Sequence, residues 1–362
     1  MKEQLAEKIL IKTMGWTVEK ATQERLDIQL LSEFKYDYYQ QYTQGMRFIE
    51  SLAHWINRFD ENDREFAYKF VKENLIFISE DQMSQLVSLS FAKYIKPILV
   101  QQSFVAAEKI KDTSIKKETI FDFFLSSTLF LGLSDGAHID YFRRCNPFLD
   151  NEQVFMHYDY SNARSGKLKE SLVERNQKYS FCEQLQENND CFKNVVILDD
   201  FSASGISFIR NESNKWKGKI PALFDNLIDN CTVSNKFDLC IILYISTAEA
   251  INYIESHVKE YVNKEHSNIE INLSVNAVQI VNSVAIEKDD LCFKFLSKYN
   301  DSSVVDKHFK KGKHNYPFLG FNECALPLIL YHNTPNNSFP LLWYNSMDSE
   351  NNALFPRITR HK

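Results

Sequence analysis

The sequence predicts an α/β protein in which a parallel β-sheet domain follows an all-helical N-terminal region. Up to residue 118, apolar residues recur at three- and four-residue spacing, which is typical of amphipathic helices. From Ile120 onward, short apolar runs alternate with helix-like segments, which is the pattern of a parallel sheet with crossover helices. We therefore predict a helical cap or partner-binding region over residues 1–118 and a sheet domain over residues 119–362.

The N-terminal region contains several helical segments but no recognisable catalytic motif. Asn62-Asp63 before Arg64 is a plausible helix start. Apolar periodicity predicts helices over Leu30–Phe34, Met46–Trp55, Glu65–Ile78 and Asp81–Phe91.

The sheet domain contains five apolar runs of strand length. These runs predict strands at Phe130–Leu133, Gln153–Tyr158, Asn194–Leu198, Leu239–Ile245 and Asn276–Ile286. Helix-like segments separate them, at Ile139–Arg144, from Ser207 through Ile209 onward, and at Glu249–Tyr261.

Composition excludes several classes of protein. The net charge of −6 argues against a broad nucleic-acid footprint. The seven cysteines are scattered and contain no CxxC pair, which is typical of reduced thiols in the cytoplasm, and the nine histidines show no zinc-binding spacing. The chain begins without the apolar core of a signal peptide and has no run of about 18 apolar residues, so we expect a cytoplasmic protein with no membrane span.

The segment VVILDDFSASGIS, residues 195–207, is the strongest candidate for a functional site. Its apolar run predicts a buried strand that ends in two carboxylates, Asp199 and Asp200, which are costly to bury without a ligand or partner. A loop of small residues before a helix start can bind a phosphate through backbone N–H groups and the helix dipole. The predicted phosphate-binding residues are Ser202, Ala203, Ser204, Gly205, Ile206 and Ser207. The alternative is a structural turn in which the Asp pair only caps the helix.

This segment resembles the motif with which type I phosphoribosyltransferases bind phosphoribosyl pyrophosphate (PRPP). Asp199 and Asp200 match the acidic pair, and Ser204-Gly205 and Ser207 match the Thr-Gly and final Thr of that motif. The resemblance implies a Rossmann-like phosphoribosyltransferase domain whose ligand is PRPP or a nucleotide. Asp199 and Asp200 would be the catalytic residues, holding the ribose hydroxyls. A Mg²⁺ cofactor would lie on the pyrophosphate side and would meet the two carboxylates only through ribose or water.

A second candidate loop follows the first predicted strand of the sheet domain. The resemblance implies that this loop, Ser134, Asp135, Gly136 and Ala137, flanks the pyrophosphate. Many members of the family have Lys or Arg there, whereas Asp135 would repel an anion unless a cation intervened. The alternative is a tight turn in which Asp135 caps the following helix. The resemblance also implies that the polar stretch Asp159–Asp190 is a mobile catalytic loop that supplies a basic residue.

Three further phrases, at residues 75–87, 131–147 and 325–343, resemble phosphoribosyltransferase-like effectors of bacterial conflict and antiphage defence loci. This resemblance implies a role in antiphage defence with a protein partner from the same locus. The activity would be a Mg²⁺-dependent phosphoribosyl (glycosyl) transfer or another nucleotide-consuming reaction. One alternative is a non-catalytic sensor of PRPP or a nucleotide, which Asp135 favours. Another is an adaptor that contacts nucleic acid through two basic stretches, 308–314 and 357–362.

Overall fold

The computed structural model describes residues 3–110, 112, 114–181, 185, 190–345 and 353–358. The described part contains nine strands, in chain order β1 Ile76–Ile78, β2 Thr128–Gly132, β3 Val154–Met156, β4 Phe192–Ser202, β5 Arg210–Glu212, β6 Lys215–Lys217, β7 Val233–Ser246, β8 Glu270–Ile280 and β9 Leu328–Leu330. Its α-helices are α1 Glu3–Met14, α2 Val18–Phe34, α3 Phe48–Asn57, α4 Glu61–Asn74, α5 Glu80–Ser90, α6 Lys96–Lys109, α7 Lys117–Ser126, α8 Ile139–Cys145, α9 Asn162–Asn176, α10 Lys219–Asp229, α11 Ala248–Glu265, α12 Leu291–Lys298 and α13 Pro340–Trp343.

The chain forms two compact units whose limits differ from the predicted division after residue 118. One unit combines Met1–Met83 with Asn282–Lys362, and the other is Ser84–Val281. Residues 84–109 group with the sheet because the Gln102 amide donates to Asn194 Oδ1 at 2.7 Å and to Asp238 Oδ2 at 2.9 Å. The last eighty or so residues group with the first helices. There the Trp55 indole N–H donates to the carbonyl of Leu341 at 2.8 Å.

A five-stranded, fully parallel sheet forms the centre of the Ser84–Val281 unit, in the order β3-β2-β4-β7-β8. The prediction of an α/β fold with a parallel sheet is confirmed. The middle strand, β4, pairs Val195 with Leu129 of β2 and with Leu239 of β7. All three side chains are buried, as the uninterrupted apolar runs of these strands predicted.

The structure corrects several predicted boundaries. β4 continues through Asp199 and Asp200 to Ser202 because Phe201 and Ser202 still pair with Ile245 and Ser246 of β7. β8 begins at Glu270 and ends at Ile280, whereas the apolar run predicted a strand over Asn276–Ile286.

The N-terminal region is not entirely helical. Ile76–Ile78, predicted as the end of a helix, is instead strand β1, which pairs in parallel with β9. Three consecutive apolar residues fit a short buried strand as well as the end of a helix. Hydrophobic periodicity alone therefore could not identify β1.

The largest difference lies directly after the predicted phosphate loop, where no helix begins. Gly205 to Phe208 form a single turn, closed by a 2.9 Å hydrogen bond from the Phe208 N–H to the Gly205 carbonyl. The antiparallel hairpin β5–β6 follows. Its two turn residues, Ser213 and Asn214, have positive φ angles of 52° and 61°, which suit a tight hairpin turn. Only then does α10 begin, at Lys219.

Helices α9, α10 and α11 contribute to the same buried core as the sheet, through residues such as Leu168, Leu223 and Ile254. In the part of the chain that the structure describes, no helix has the length and apolar character needed to cross a membrane.

Candidate functional site

The predicted site residues meet where strands β2, β4 and β7 end. The strands are parallel, so their carboxyl ends lie at one edge of the sheet, which is the usual location of ligand sites in α/β folds. β4 brings Asp199 and Asp200 to this edge, the turn after β2 brings residues 134–137, and β7 brings Tyr244. The two segments that the sequence singled out separately are therefore neighbours.

Asp199 is a buried carboxylate, 2% exposed, that three groups surround. Its Oδ1 accepts a hydrogen bond from the Ser134 hydroxyl and a 3.2 Å bond from the Asp200 backbone N–H. Its Oδ2 lies 3.0 Å from the ammonium nitrogen of Lys219. Burial, followed by the charge of Asp200, raises the pKa of Asp199 to about 6, against the opposing effect of Lys219.

Asp200 lies against the same turn as Asp199 but has different contacts. Its Oδ1 accepts a 2.8 Å hydrogen bond from the Phe201 N–H. Its Oδ2 lies against Gly136, where an added Cβ would come within 2.2 Å. Only glycine at position 136 therefore lets the turn after β2 approach the acidic pair so closely.

The predicted pyrophosphate loop is a short 3₁₀ turn, Asp135–Ala137, in which Gly136 and Ala137 are buried. The Ala137 N–H donates to the Ser134 carbonyl at 2.8 Å, and the Tyr244 hydroxyl donates to the Ala137 carbonyl at 2.6 Å. Asp135 is exposed, and its carboxylate interacts with the hydroxyl of Tyr158. Loss of solvation, followed by the charge of Asp135, raises the pKa of the Tyr158 phenol. The turn is thus fixed from β7 and presents a carboxylate to solvent.

Ser246 at the end of β7 and the following Thr247 hold the predicted phosphate loop by hydrogen bonds. The Ser246 hydroxyl donates to the Ser202 carbonyl at 2.7 Å, and the Thr247 hydroxyl donates to the Ala203 carbonyl at 2.8 Å. The Gly205 N–H donates to the Ser202 hydroxyl at 3.1 Å. Ser204 and Ile206 are half-buried and Ser207 is exposed at the rim.

The backbone conformation at position 205 requires a glycine. Its φ of 74° lies in the left-handed region, and an added Cβ would lie 2.6 Å from Cδ1 of Tyr253. The prediction that a helix dipole points into this loop from Ser207 is wrong, because the chain turns into hairpin β5–β6 instead. Phosphate binding here would depend on backbone N–H groups and serine hydroxyls.

Sequence reasoning missed three polar residues at the same edge. Lys219 is separated from the motif by the hairpin, so its proximity to Asp199 has no signal in the sequence. Arg210 binds Glu212 at 2.6 Å and donates to the Ile206 carbonyl at 3.4 Å. His157, after β3, contacts the Gly132 carbonyl through Nδ1 at 3.2 Å. Burial, opposed by that contact and helped by the charge of Lys219, lowers the pKa of His157.

Comparison with known proteins identifies the fold that carries this site. A family model, PRTase-CE, matches residues 52–357, which is most of the chain. The chain belongs to the PRTase-CE family. Its sheet unit is accordingly a phosphoribosyltransferase-like domain, as the PRPP-motif resemblance predicted. No curated protein and no solved structure matches the chain.

The described part of this PRTase-CE chain contains no cluster of three or more His, Cys, Asp or Glu side chains that could hold a metal ion. One oxygen of Asp199 is engaged by Lys219, so the pair by itself lacks the donor set of a protein-held cation. The residues do fit a Mg²⁺ ion that the oxygens of a phosphorylated ligand and water mainly coordinate. The pair would then meet Mg²⁺ only indirectly, and Mg²⁺ stays a prediction.

The remaining basic segments lie on other elements. Residues 162–176 of the stretch predicted as a catalytic loop form helix α9 of the PRTase-CE fold, and residues 182–184 and 186–189 of that stretch lie outside the described residues. Lys310, Lys311, Lys313 and His314 are exposed in the other compact unit. Of the C-terminal basic stretch, residues 359–362 lie outside the described residues.

Proposed function

We propose that this protein binds a phosphoribosyl compound, PRPP or a nucleoside 5′-phosphate, at the carboxyl edge of its sheet. The observation that carries the proposal is that the buried Asp199, the half-buried Asp200 and a loop rich in N–H and hydroxyl donors occupy one edge of the sheet. Burial disfavours the charged form of Asp199 in the ligand-free protein and raises its pKa, which is expected where a ligand later supplies hydrogen bonds.

The two halves of the site have complementary chemistry. Ionised carboxylates accept hydrogen bonds, so Asp199 and Asp200 suit the 2- and 3-hydroxyls of a ribose. The segment from Ser202 to Ser207 offers donors, which suit the 5-phosphate at the other end of the same sugar. The turn with Gly136 would then lie beside the group on C1.

Transfer would break the bond between C1 and the pyrophosphate oxygen, and its electron pair would leave with pyrophosphate. The nucleophilic atom of an acceptor would then form the new bond to C1 of the oxocarbenium-like sugar. The acidic pair would keep the ribose oriented by its hydroxyls, and its negative charge would favour the cationic sugar. Mg²⁺, when bound with pyrophosphate, would neutralise charge on the leaving group.

A second candidate is a non-catalytic sensor of the same ligand class. Asp135 favours it, because an exposed carboxylate in the turn beside C1 repels pyrophosphate. A nucleoside monophosphate, which has no pyrophosphate, avoids that repulsion. We also propose, from the resemblance of three phrases to conflict effectors, a role in antiphage defence with a protein partner.

Calorimetric titration with PRPP, AMP and unphosphorylated ribose tests the proposal. PRPP or AMP should bind and ribose should not, and release of labelled pyrophosphate from PRPP separates the transferase from the sensor. Ser207→Ala should weaken binding, whereas Ser88→Ala, at another exposed serine in the same unit, should not. A folded wild-type protein that binds neither PRPP nor AMP would refute the proposal.

A further inference from the structure

Lys219 is a cation in direct contact with Asp199, the buried member of the acidic pair. Its ammonium lies 3.0 Å from the buried Oδ2 of Asp199 and 5.5 Å from the ring centroid of Phe208. The Lys219 side chain is 30% exposed, whereas Asp199 is 2% exposed. The Lys219 side chain is therefore partly accessible to solvent beside a buried carboxylate.

The start of α10 is attached to the back of the predicted phosphate loop, and this fixes Lys219. The Lys219 N–H donates to the Ser207 carbonyl at 3.3 Å, and the Ile220 N–H donates to the Phe208 carbonyl at 2.9 Å. Gly218, with a φ of 120°, allows this approach, because an added Cβ would lie 2.4 Å from the Phe208 oxygen. The hairpin β5–β6 thus delivers a lysine to the site where the motif alone predicted a continuing helix.

The charges explain what this lysine would do for an anionic ligand. Two adjacent carboxylates repel a phosphate, and a nearby cation offsets that repulsion. An ammonium has three donors, of which the Asp199 contact uses one, so others can reach a ligand oxygen on the exposed side.

We propose that Lys219 is a ligand-binding residue of this site, and that its charge lets a ligand with a single phosphate bind without a divalent cation. The inference rests on the proposed function and deepens it, because it names the residue that makes a nucleoside monophosphate an acceptable ligand. PRPP, with its additional pyrophosphate charge, would still bind more tightly with Mg²⁺.

Calorimetry with AMP, in EDTA and in Mg²⁺, tests this proposal on four full-length proteins: wild type, Lys219→Met, Lys219→Arg and Lys217→Met. Wild type should bind AMP equally in both buffers. Lys219→Met should bind about 10- to 100-fold more weakly in EDTA, the loss of a charge-assisted contact, and should regain part of this with Mg²⁺. Lys219→Arg should retain most of the affinity. Lys217→Met is the matched control, because Lys217 pairs with Glu212 on the hairpin.

The outcomes separate this inference from the proposed function. Wild-type protein that binds AMP only with Mg²⁺, or Lys219→Met that binds like wild type, refutes the role of Lys219 while the phosphoribosyl site stands. Wild-type protein that binds no ligand in either buffer refutes both. If Lys219→Met does not fold, Lys219→Gln keeps a hydrogen-bond donor beside Asp199 without the positive charge. A folded Lys219→Gln that binds AMP in EDTA like wild type refutes the inference.

Discussion

The Asp199 carboxylate shows how one residue can cost stability and still be retained. Burial and the neighbouring Asp200 both disfavour its charge, and the Ser134 hydroxyl and Lys219 offset only part of that cost. Such a group is stabilised further only when something else at the site donates to it.

Replacing Asp199 and Asp200 by Asn should therefore abolish binding of PRPP or AMP and leave the melting temperature unchanged or higher. The physical reason is that two repelling, poorly solvated charges disappear together with the acceptors for the ribose hydroxyls. Calorimetry and thermal unfolding of the ligand-free protein measure both effects. Asp229→Asn, an exposed carboxylate of α10, is the control. A large fall in melting temperature would show that the pair is structural.

The raised pKa of Asp199 also predicts a pH dependence. The folded protein holds the Asp199 proton up to about pH 6, whereas the ordinary pKa is 3.8. The stability supplied by this group is complete below the ordinary pKa and is lost as the pH rises through about 6. Ligand affinity should rise over the same interval, because the ionised carboxylate is the better acceptor.

Unfolding and titration of wild type and Asp199→Asn between about pH 4 and about pH 8 would measure this effect. As the pH rises through about 6, wild type should lose stability relative to Asp199→Asn. A difference that stays constant across the range would contradict the assignment of the raised pKa to Asp199.

Two glycine-to-alanine substitutions test whether the space beside Asp200 matters for ligand binding. Gly136→Ala places a methyl group against the Asp200 carboxylate, so it should displace that side chain and lower ligand affinity about tenfold or more. Gly166→Ala in α9 meets nothing within 4 Å and should stabilise the protein by about 0.5–1 kcal/mol without changing affinity. Binding and melting measurements on both variants test this pair, and unaltered binding by Gly136→Ala would show that Asp200 does not contact the ligand.

At the scale of elements, β7 is the support on which both loops of the site rest. Tyr244, Ser246 and the adjoining Thr247 each hydrogen-bond a backbone carbonyl of a neighbouring loop. A loop held in this way keeps its N–H groups in place before a ligand arrives, which reduces the cost of binding.

Tyr244→Phe removes the support of the turn after β2. It leaves the buried Ala137 carbonyl without its 2.6 Å donor, so we expect a loss of about 1–3 kcal/mol of stability. Ligand affinity should fall as well, because the turn that carries Gly136 is then less firmly held. Chemical denaturation and calorimetry measure these effects, with the exposed Tyr38→Phe as control. An unchanged denaturation midpoint would argue against the anchoring role.

At the scale of the whole molecule, two fragments of the chain test where the boundary of the sheet unit lies. All predicted site residues lie within Ser84–Val281, so a fragment of residues 84–281 should fold and bind AMP like the full chain. A fragment of residues 119–362 carries β9 without its partner β1 and should aggregate, because the buried apolar strand Leu328–Leu330 is exposed.

Circular dichroism, light scattering and calorimetry on the two fragments test this division. A folded 84–281 fragment that fails to bind, beside a full chain that binds, would place essential residues outside the sheet unit. A soluble, folded 119–362 fragment would instead support the boundary after residue 118.

The sequence alone determined that a parallel sheet forms and approximately where its strands lie along the chain, because buried strands require uninterrupted apolar runs such as Val195–Leu198. It did not give the order of the strands within the sheet. It also identified the acidic pair and the small-residue loop, because those residue types are costly or unusual at a strand end. Periodicity could not distinguish β1 from a helix end. It also could not show that the chain turns into a hairpin after Ser207, since that depends on local φ angles and on pairing.

Only the tertiary structure showed how closely Gly136 approaches the acidic pair, and only it brought Tyr244 and Lys219 there. Their distances from Asp199 along the chain are bridged by parallel pairing with β2 and β7 and by the hairpin before α10. A long-range contact of this kind has no local signature, because each residue is ordinary in its own segment. The charge on Asp199 is likewise a property of the assembled site, since burial and Asp200 raise its pKa and Lys219 opposes them.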